Sequence, residues 1–328
     1  MMTDNLAQTP LRLSEPVRAA LRCPACQNKL MLTEDRLRCT GERCAIEFPI
    51  VNGVPVLINE RNSLFAIDDF VQQRDTFFDL HESRLKKTVE HLIPGISRNV
   101  RGRQNYARLA ELLLKQVDAP RVLVVGCGMT GEGIESLAAQ SAIEIVNTDV
   151  SFAPQTALIC DAHDLPFDDG AFDCVIAQAV LEYVVDPYRC AAEFYRVLGG
   201  QGLVYAETPF MQQVHGGRYD FTRFTHLGHR RLFRNFEEID SGAIGGPGMA
   251  LAWAYQYFLW SFVKSKLARK ALQAFAGLTA FYLKFFDGYL IDKPGALDAA
   301  AGCYFLGRKS TRILTDRELI QGYRGAFS

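Results

Sequence analysis

Apolar positions along the chain fall into short blocks, and the cleanest is RVLVV at residues 121–125, followed at once by GCGMTG. An apolar run of that length closed by glycines is the pattern of a buried parallel strand turning into a loop. Just upstream, RQNYARLAELLLKQV (residues 103–117) sets Tyr106, Leu109, Leu112 and Leu113 at helical spacing, which predicts an amphipathic helix leading into the sheet. Downstream, a helix-like stretch runs to about Gln140, and EIVNTDV predicts a second strand ending at Asp149. Near the C-terminus, residues 249–263 are apolar except for Gln256 and Ser261, and the following apolar stretch contains Lys284 and Asp287. The first is shorter than the roughly twenty residues needed to cross a bilayer and the second is charged, so neither should span. Leu272, Phe275, Tyr282, Phe286 and Tyr289 recur at helical spacing, predicting a two-helix hydrophobic insertion over residues 246–292.

Composition narrows the class. A chain of 328 residues suits one large domain and a small accessory one, and 48% apolar with 22% charged residues is ordinary for a globular protein. The net charge of −1 argues against a protein that grips nucleic acid through its phosphates. The first residues carry no secretory pattern, so the cytoplasm is the expected compartment. There, nine cysteines point to thiols and metal rather than disulfides.

Cys23-Pro-Ala-Cys26 is followed, after twelve residues, by Cys39 and then Cys44. Two cysteine pairs separated by a hairpin-length segment can set four sulfurs around one tetrahedral zinc ion. LMLTEDRLRC between the pairs reads as one hairpin, and EFPIVNGVPVLI, turning at Asn52-Gly53, as another. A module of this size lacks a sufficient core of its own, so metal would supply stability. LRCPACQNKL with LRCTGERCAIEFPIVNGVPVLI resembles the small zinc-ribbon subunit that binds and activates several tRNA, rRNA and release-factor methyltransferases, over residues 20–60. It departs from that pattern in the four-residue gap between Cys39 and Cys44, where two is usual.

Gly126, Gly128 and Gly131 fit the glycine spacing of a nucleotide-binding turn, and Asp149, 23 residues after Gly126, stands where a carboxylate can accept both hydroxyl hydrogens of a ribose. On those features alone a nicotinamide-dependent oxidoreductase fits equally well. The next segment separates the two: ALICDAHDLPFDDGAFDCVIAQAVLEYVVDP, continued by FYRVLGGQGLVYAETPF, resembles the small-molecule branch of class I S-adenosylmethionine-dependent methyltransferases over about residues 120–210. The resemblance implies a Rossmann-like α/β fold with a seven-stranded sheet. It assigns Asp161 to the adenine amino group, Ala162 and His163 to backbone or stacking contact with the base, and Gln178 to the methionine side. Val124 stands where the family usually has an acidic residue supporting the cofactor's amino group. Cys127, Cys160, Cys174 and Cys190 read as small core residues.

FEEIDSGAI and GCYFLGRKS resemble strands six and seven of that fold, with the hydrophobic insertion between them in place of a short turn. The expected organisation is a zinc ribbon (20–60), a helical connection (61–118), a methyltransferase domain (119–310) and a C-terminal tail (311–328) with a short surface helix in TDRELIQGYRG. MQQVHGGRYDFTRFTHLGHRRLF, leaving strand five, is dense in polar side chains and supplies the candidate base: His215 first, with Asp220 or Glu182 behind it. The expected reaction moves a methyl group from S-adenosylmethionine to an oxygen or nitrogen of a small-molecule, glycan or lipid-linked acceptor. An NAD(P)-dependent oxidoreductase and a noncatalytic methyltransferase-like scaffold are the alternatives. The insertion reads as a lid that also touches a membrane surface, with Trp253, Trp260 and the basic residues Lys264, Lys266, Arg269 and Lys270 suited to an interface, or as a helical cap or homodimer face.

Overall fold

The computed structural model describes residues 11–77, 94–128 and 131–328. After a short helix, α1 (Glu15–Ala19), come three antiparallel strands, β1 (Leu30–Leu32), β2 (Arg36–Cys39) and β3 (Glu47–Val51), and then β4 (Val54–Leu57). Asn52 and Gly53 turn β3 into β4 with φ of 52° and 78°, the left-handed pair that a tight two-residue hairpin requires.

The expected seven strands follow: β5 (Arg121–Val125), β6 (Glu144–Asp149), β7 (Leu158–Cys160), β8 (Phe172–Gln178), β9 (Leu198–Pro209), β10 (Phe236–Gly245) and β11 (Gly302–Lys309). In the sheet they lie in the order β7-β6-β5-β8-β9-β11-β10, with β11 antiparallel to both of its neighbours. The sheet does not stop at seven. All of β4 is buried and pairs in parallel with β7, Val56 opposite Ile159 and Leu57 opposite Cys160, so the ribbon strands extend one sheet to eleven. Leu37, Cys39 and Phe48 of the ribbon lie in the same buried cluster as Leu123, Val175 and Val204 of the main sheet. The ribbon and the main sheet therefore share one buried core. A ribbon with too little apolar surface of its own completes its burial on the larger sheet.

Helices α2 (Ile67–Val71) and α3 (Gly102–Gln116) precede β5, and α4 (Glu135–Ala138) lies between β5 and β6. In α3, Tyr106, Leu109 and Leu113 are buried, as their spacing predicted. The helix expected to reach Gln140 is the single turn of α4. Residues 78–93, which belong to the expected helical connection, lie outside the described residues. Helix α5 (Pro187–Val197) is capped by Asp186, whose carboxylate accepts from Arg189 N at 3.0 Å, and α6 (His226–Leu232) precedes β10.

The insertion between β10 and β11 holds three longer helices, α7 (Pro247–Trp260), α8 (Lys266–Ala280) and α9 (Leu283–Leu290), where two were expected, followed by the short α10 (Pro294–Asp298). Asp287 of α9 is fully buried at the N-terminus of α7, where its carboxylate accepts from Gly248 N at 2.7 Å and Met249 N at 2.9 Å. The N–H groups of that first helical turn have no intrahelical partner, and a carboxylate there also complements the helix dipole. At Gly248 a Cβ would come within 2.2 Å of Leu283 O, so only glycine lets α9 approach this closely. No helix among the described residues is long and apolar enough to cross a membrane. The final helix, α11 (Asp316–Gln321), opens with a capping box of Thr315 and Glu318.

Candidate functional site

The carboxyl ends of β5, β6, β7, β8 and β9 open into a cavity of about 260 Å³ lined by Gly126, Asp149, Asp161, Ala162, Gln178 and Glu207. Loops at this edge are where open α/β sheets take their ligands. Gly126 has φ +77°, and a Cβ on Gly131 would collide with the Gln178 side chain at 1.6 Å, so both glycines let backbone reach the cavity. Asp149 Oδ2 accepts from Gly128 N at 2.7 Å. Burial raises Asp149 to about 6 against its backbone hydrogen bonds.

Asp161 is already well partnered. Ser63 Oγ donates to Oδ2 at 2.6 Å, and His163 N reaches Oδ1 at 3.0 Å. His163 Nε2 accepts from Asp186 N at 3.0 Å, which leaves Nδ1 as the protonated nitrogen facing Asp161 Oδ1 at 2.5 Å. Burial works against ionisation here, but His163 and Ser63 outweigh it and hold Asp161 below its ordinary value. His163, expected at the base, thus acts as a brace between Asp161 and the N-cap of α5. Ser63 sits directly after the ribbon, and Asn59 and Asn62 donate to Asp164 at 3.0 and 2.9 Å, so the ribbon's exit segment frames the same loop.

Glu207, near the end of β9, also lines the cavity and lies outside the sequence-predicted set. It is buried and accepts from Gln178 Nε2 at 2.8 Å, Asn99 Nδ2 at 3.1 Å and Tyr205 Oη at 2.5 Å. Tyr106 Oη completes the network by donating to Gln178 Oε1 at 2.8 Å. Among the described residues Glu207 faces only neutral donors, and burial pushes its carboxyl up. Its place as an acidic residue closing an apolar strand is the signal that identified Asp149 and Asp161.

Aromatic rings form the outer wall of the cavity. Phe77 packs on Tyr183 at 4.7 Å and on Tyr219 at 5.5 Å, and Phe65 lies 5.8 Å from Tyr219. Tyr183 meets His215 edge to face at 5.6 Å, and His215 meets Trp253 of α7 at the same distance. Beyond them lies a second cavity of about 1080 Å³ between α7, α8 and the loop carrying His215, lined also by Tyr257, Trp260 and Lys270.

The three candidate bases stand in different places. His215 lines the second cavity, and its Nδ1 donates to Gln213 O at 2.9 Å, which leaves Nε2 with a lone pair. Asp220 is used structurally: it accepts from His215 N at 2.8 Å and Gly216 N at 3.0 Å and pairs through both oxygens with Arg223. Those contacts outweigh its partial burial and lower its pKa. Glu182 is fully buried, lines neither cavity, and neither carboxylate oxygen has a hydrogen-bond partner among the described residues. Burial raises it to about 8.

In the ribbon, the sulfur atoms of Cys23, Cys26, Cys39 and Cys44 all lie within 4.8 Å of one another, with Cys23 to Cys44 at 3.7 Å and Cys26 to Cys39 at 3.4 Å. Asn28 Nδ2 donates to Cys26 Sγ and Gly41 N to Cys39 Sγ, both at 3.3 Å. The wide gap before Cys44 is taken up by Gly41 O, which accepts from both Cys44 N and Ala45 N. Gln27 and Ala45, each directly after the second cysteine of its pair, have φ of 59° and 46°, so both knuckles close alike.

The strand order with its antiparallel β11 and the cavity-lining glycines define the class I methyltransferase fold. Residues 123–206 match the family model described as a methyltransferase domain, so this stretch of the chain is a methyltransferase domain. No curated protein matches the chain. Among solved structures, the [4+2]-cyclase SpnF is 21% identical, with 63% of this chain and 81% of that one covered at a TM-score of 0.36. A chain in the complex between the Haloferax volcanii Trm112 methyltransferase activator and a candidate methyltransferase is 18% identical, covering 70% and 95% at 0.42. Haemonchus contortus phosphoethanolamine N-methyltransferase 2, in complex with S-adenosyl-L-methionine, is 14% identical, covering 62% and 53% at 0.40.

Proposed function

We propose that the protein methylates an oxygen or nitrogen of an acceptor seated in the cavity between α7, α8 and the His215 loop. The observation that carries this reading is the contact of Tyr183, which lines the cofactor cavity, with His215, which lines the second one. A small molecule, a glycan or a lipid-linked compound fits a cavity with aromatic walls and a single lysine. The expected compartment is the cytoplasm.

S-adenosylmethionine supplies an electrophilic methyl group on a sulfonium. Asp149 offers its carboxylate to the ribose hydroxyls. Asp161 and Ala162 face the adenine edge, and Gly126, Gly128 and Gly131 let the backbone come close. Glu207, beside Gln178, takes the ammonium that Val124 cannot hold. His215 Nε2 would accept the acceptor's proton as the nucleophile bonds to the methyl carbon and the methyl–sulfur bond breaks, its electron pair staying on the sulfur of S-adenosylhomocysteine. The aromatic wall of Phe77, Tyr183 and Tyr219 keeps water from the junction and presents ring faces to positive charge. Alignment of nucleophile and methyl is the larger part of the catalysis.

We also infer that Cys23, Cys26, Cys39 and Cys44 hold one zinc ion. Tetrahedral Zn–S bonds of about 2.3 Å set sulfurs roughly 3.8 Å apart, a spacing these four approach without any disulfide. Calorimetric titration of the purified protein with S-adenosylhomocysteine and with NAD tests the cofactor reading. Binding of the first and none of the second is expected, and the reverse removes it.

A further inference from the structure

The insertion is turned inside out. Helix α8 buries its small residues Ala276, Gly277 and Ala280 and exposes Leu267, Phe275 and Leu278, at intervals that fall on one helical face with Ala271. The stripe continues on α9 through Phe286 and Tyr289, while α9 buries its one acidic residue, Asp287. Phe258 of α7 and Phe262 in the turn that follows it project together beside the start of α8. Ten of the twenty-three exposed large apolar side chains among the described residues lie between residues 251 and 289. That density marks a surface built to be covered.

Charge identifies what covers it. Residues 249–293 hold six basic side chains, Lys264, Lys266, Arg269, Lys270, Lys284 and Lys293, against two acidic ones. Of those two, Asp287 is consumed at the N-terminus of α7 and Asp292 is paired with Arg101. A second copy of this chain would bring the same basic face against itself. An anionic bilayer surface complements both features, taking apolar and aromatic side chains at the acyl boundary and ammonium groups at the head groups.

We infer that the outward face of α7, α8 and α9 docks on an anionic lipid membrane, and that the acceptor reaches its cavity from that face carrying an apolar tail. The second part rests on the acceptor cavity proposed above. Leu267 and Ala271 belong both to the outward stripe and to the cavity wall, so the two surfaces are continuous. Trp253 Nε1 donates to Ser97 Oγ at 3.0 Å and Tyr257 Oη to Val214 O, which ties the inner side of α7 to the site while its outer side stays free.

The test is flotation of the full chain with phosphatidylcholine vesicles, with and without phosphatidylglycerol. The protein should float with anionic vesicles, less so as salt rises, and stay behind with neutral ones. Leu278→Ser with Phe275→Ser and Tyr289→Ser, and separately Lys264→Glu with Lys266→Glu and Arg269→Glu, should each lower binding by roughly tenfold or more. Both variants should keep the wild-type affinity for S-adenosylhomocysteine, since these side chains are remote from the cofactor cavity. Protein left in the soluble fraction with both vesicle types overturns the inference, as does a dimer in light scattering that Phe275→Ser dissociates. Flotation without any S-adenosylhomocysteine binding upholds the surface and removes the cofactor reading instead.

Discussion

Gln178 Nε2 donates to Glu207 Oε2 across 2.8 Å, and through that bond the ends of β8 and β9 hold a buried carboxylate facing neutral donors at the edge of the cofactor cavity. Val124, where an acid was expected, has its side chain buried in the core cluster on the side of the sheet packed by α3. The negative charge we propose for the cofactor's ammonium lies two strands further out, on β9.

Glu207→Gln should therefore weaken S-adenosylhomocysteine by roughly tenfold or more, the cost of losing a charge-assisted contact. 5′-Methylthioadenosine, which lacks the amino acid part, should bind both forms equally. Calorimetry with the two ligands separates this from a general disturbance, which would weaken both.

Asp149→Ala should weaken both ligands by on the order of tenfold, because each carries the ribose. The wild type should also lose affinity as pH falls through about 6, the value to which burial raises Asp149, since a protonated carboxyl accepts poorly from two hydroxyls. A titration series between about pH 5 and about pH 8 reads this directly. An affinity unchanged across that range would misplace the ribose.

Glu182 sets a stability profile of its own. Its folded value of about 8 lies above the ordinary 4.5, so between these limits the folded state holds the proton and the unfolded state does not. Stability on this account is fully present below the unfolded value and declines as pH rises through the folded one. Glu182→Gln should flatten the decline and raise stability at pH 8 by an amount on the order of a few kcal/mol, measured by urea denaturation.

Because the ribbon and the main sheet share one core, Cys39→Ser should not simply release residues 20–60. Elemental analysis should show loss of zinc. The whole chain should then unfold in a single transition at lower denaturant, with the lone tryptophan-bearing element, α7, reporting it together with far-ultraviolet dichroism. Two separate transitions would restore the picture of independent modules.

Local pattern was enough for the elements with a strong period. RVLVV, the helix bearing Tyr106 and Leu109, the Asn52-Gly53 turn and the paired cysteines each follow from spacing between near neighbours, and so did Asp149 as an acid closing a strand. Tertiary contacts decided what those pieces do together. The pairing of β4 with β7 joins the ribbon to the sheet and brings Ser63 to Asp161, 98 residues away. Asp220 looked like a base until Arg223 and two backbone N–H groups claimed its oxygens. Helical spacing showed that Phe275 and Tyr289 share a stripe, but period alone does not say which way a stripe faces. Burial of Gly277 and Ala280, and of Asp287 beneath α7, turned it outward.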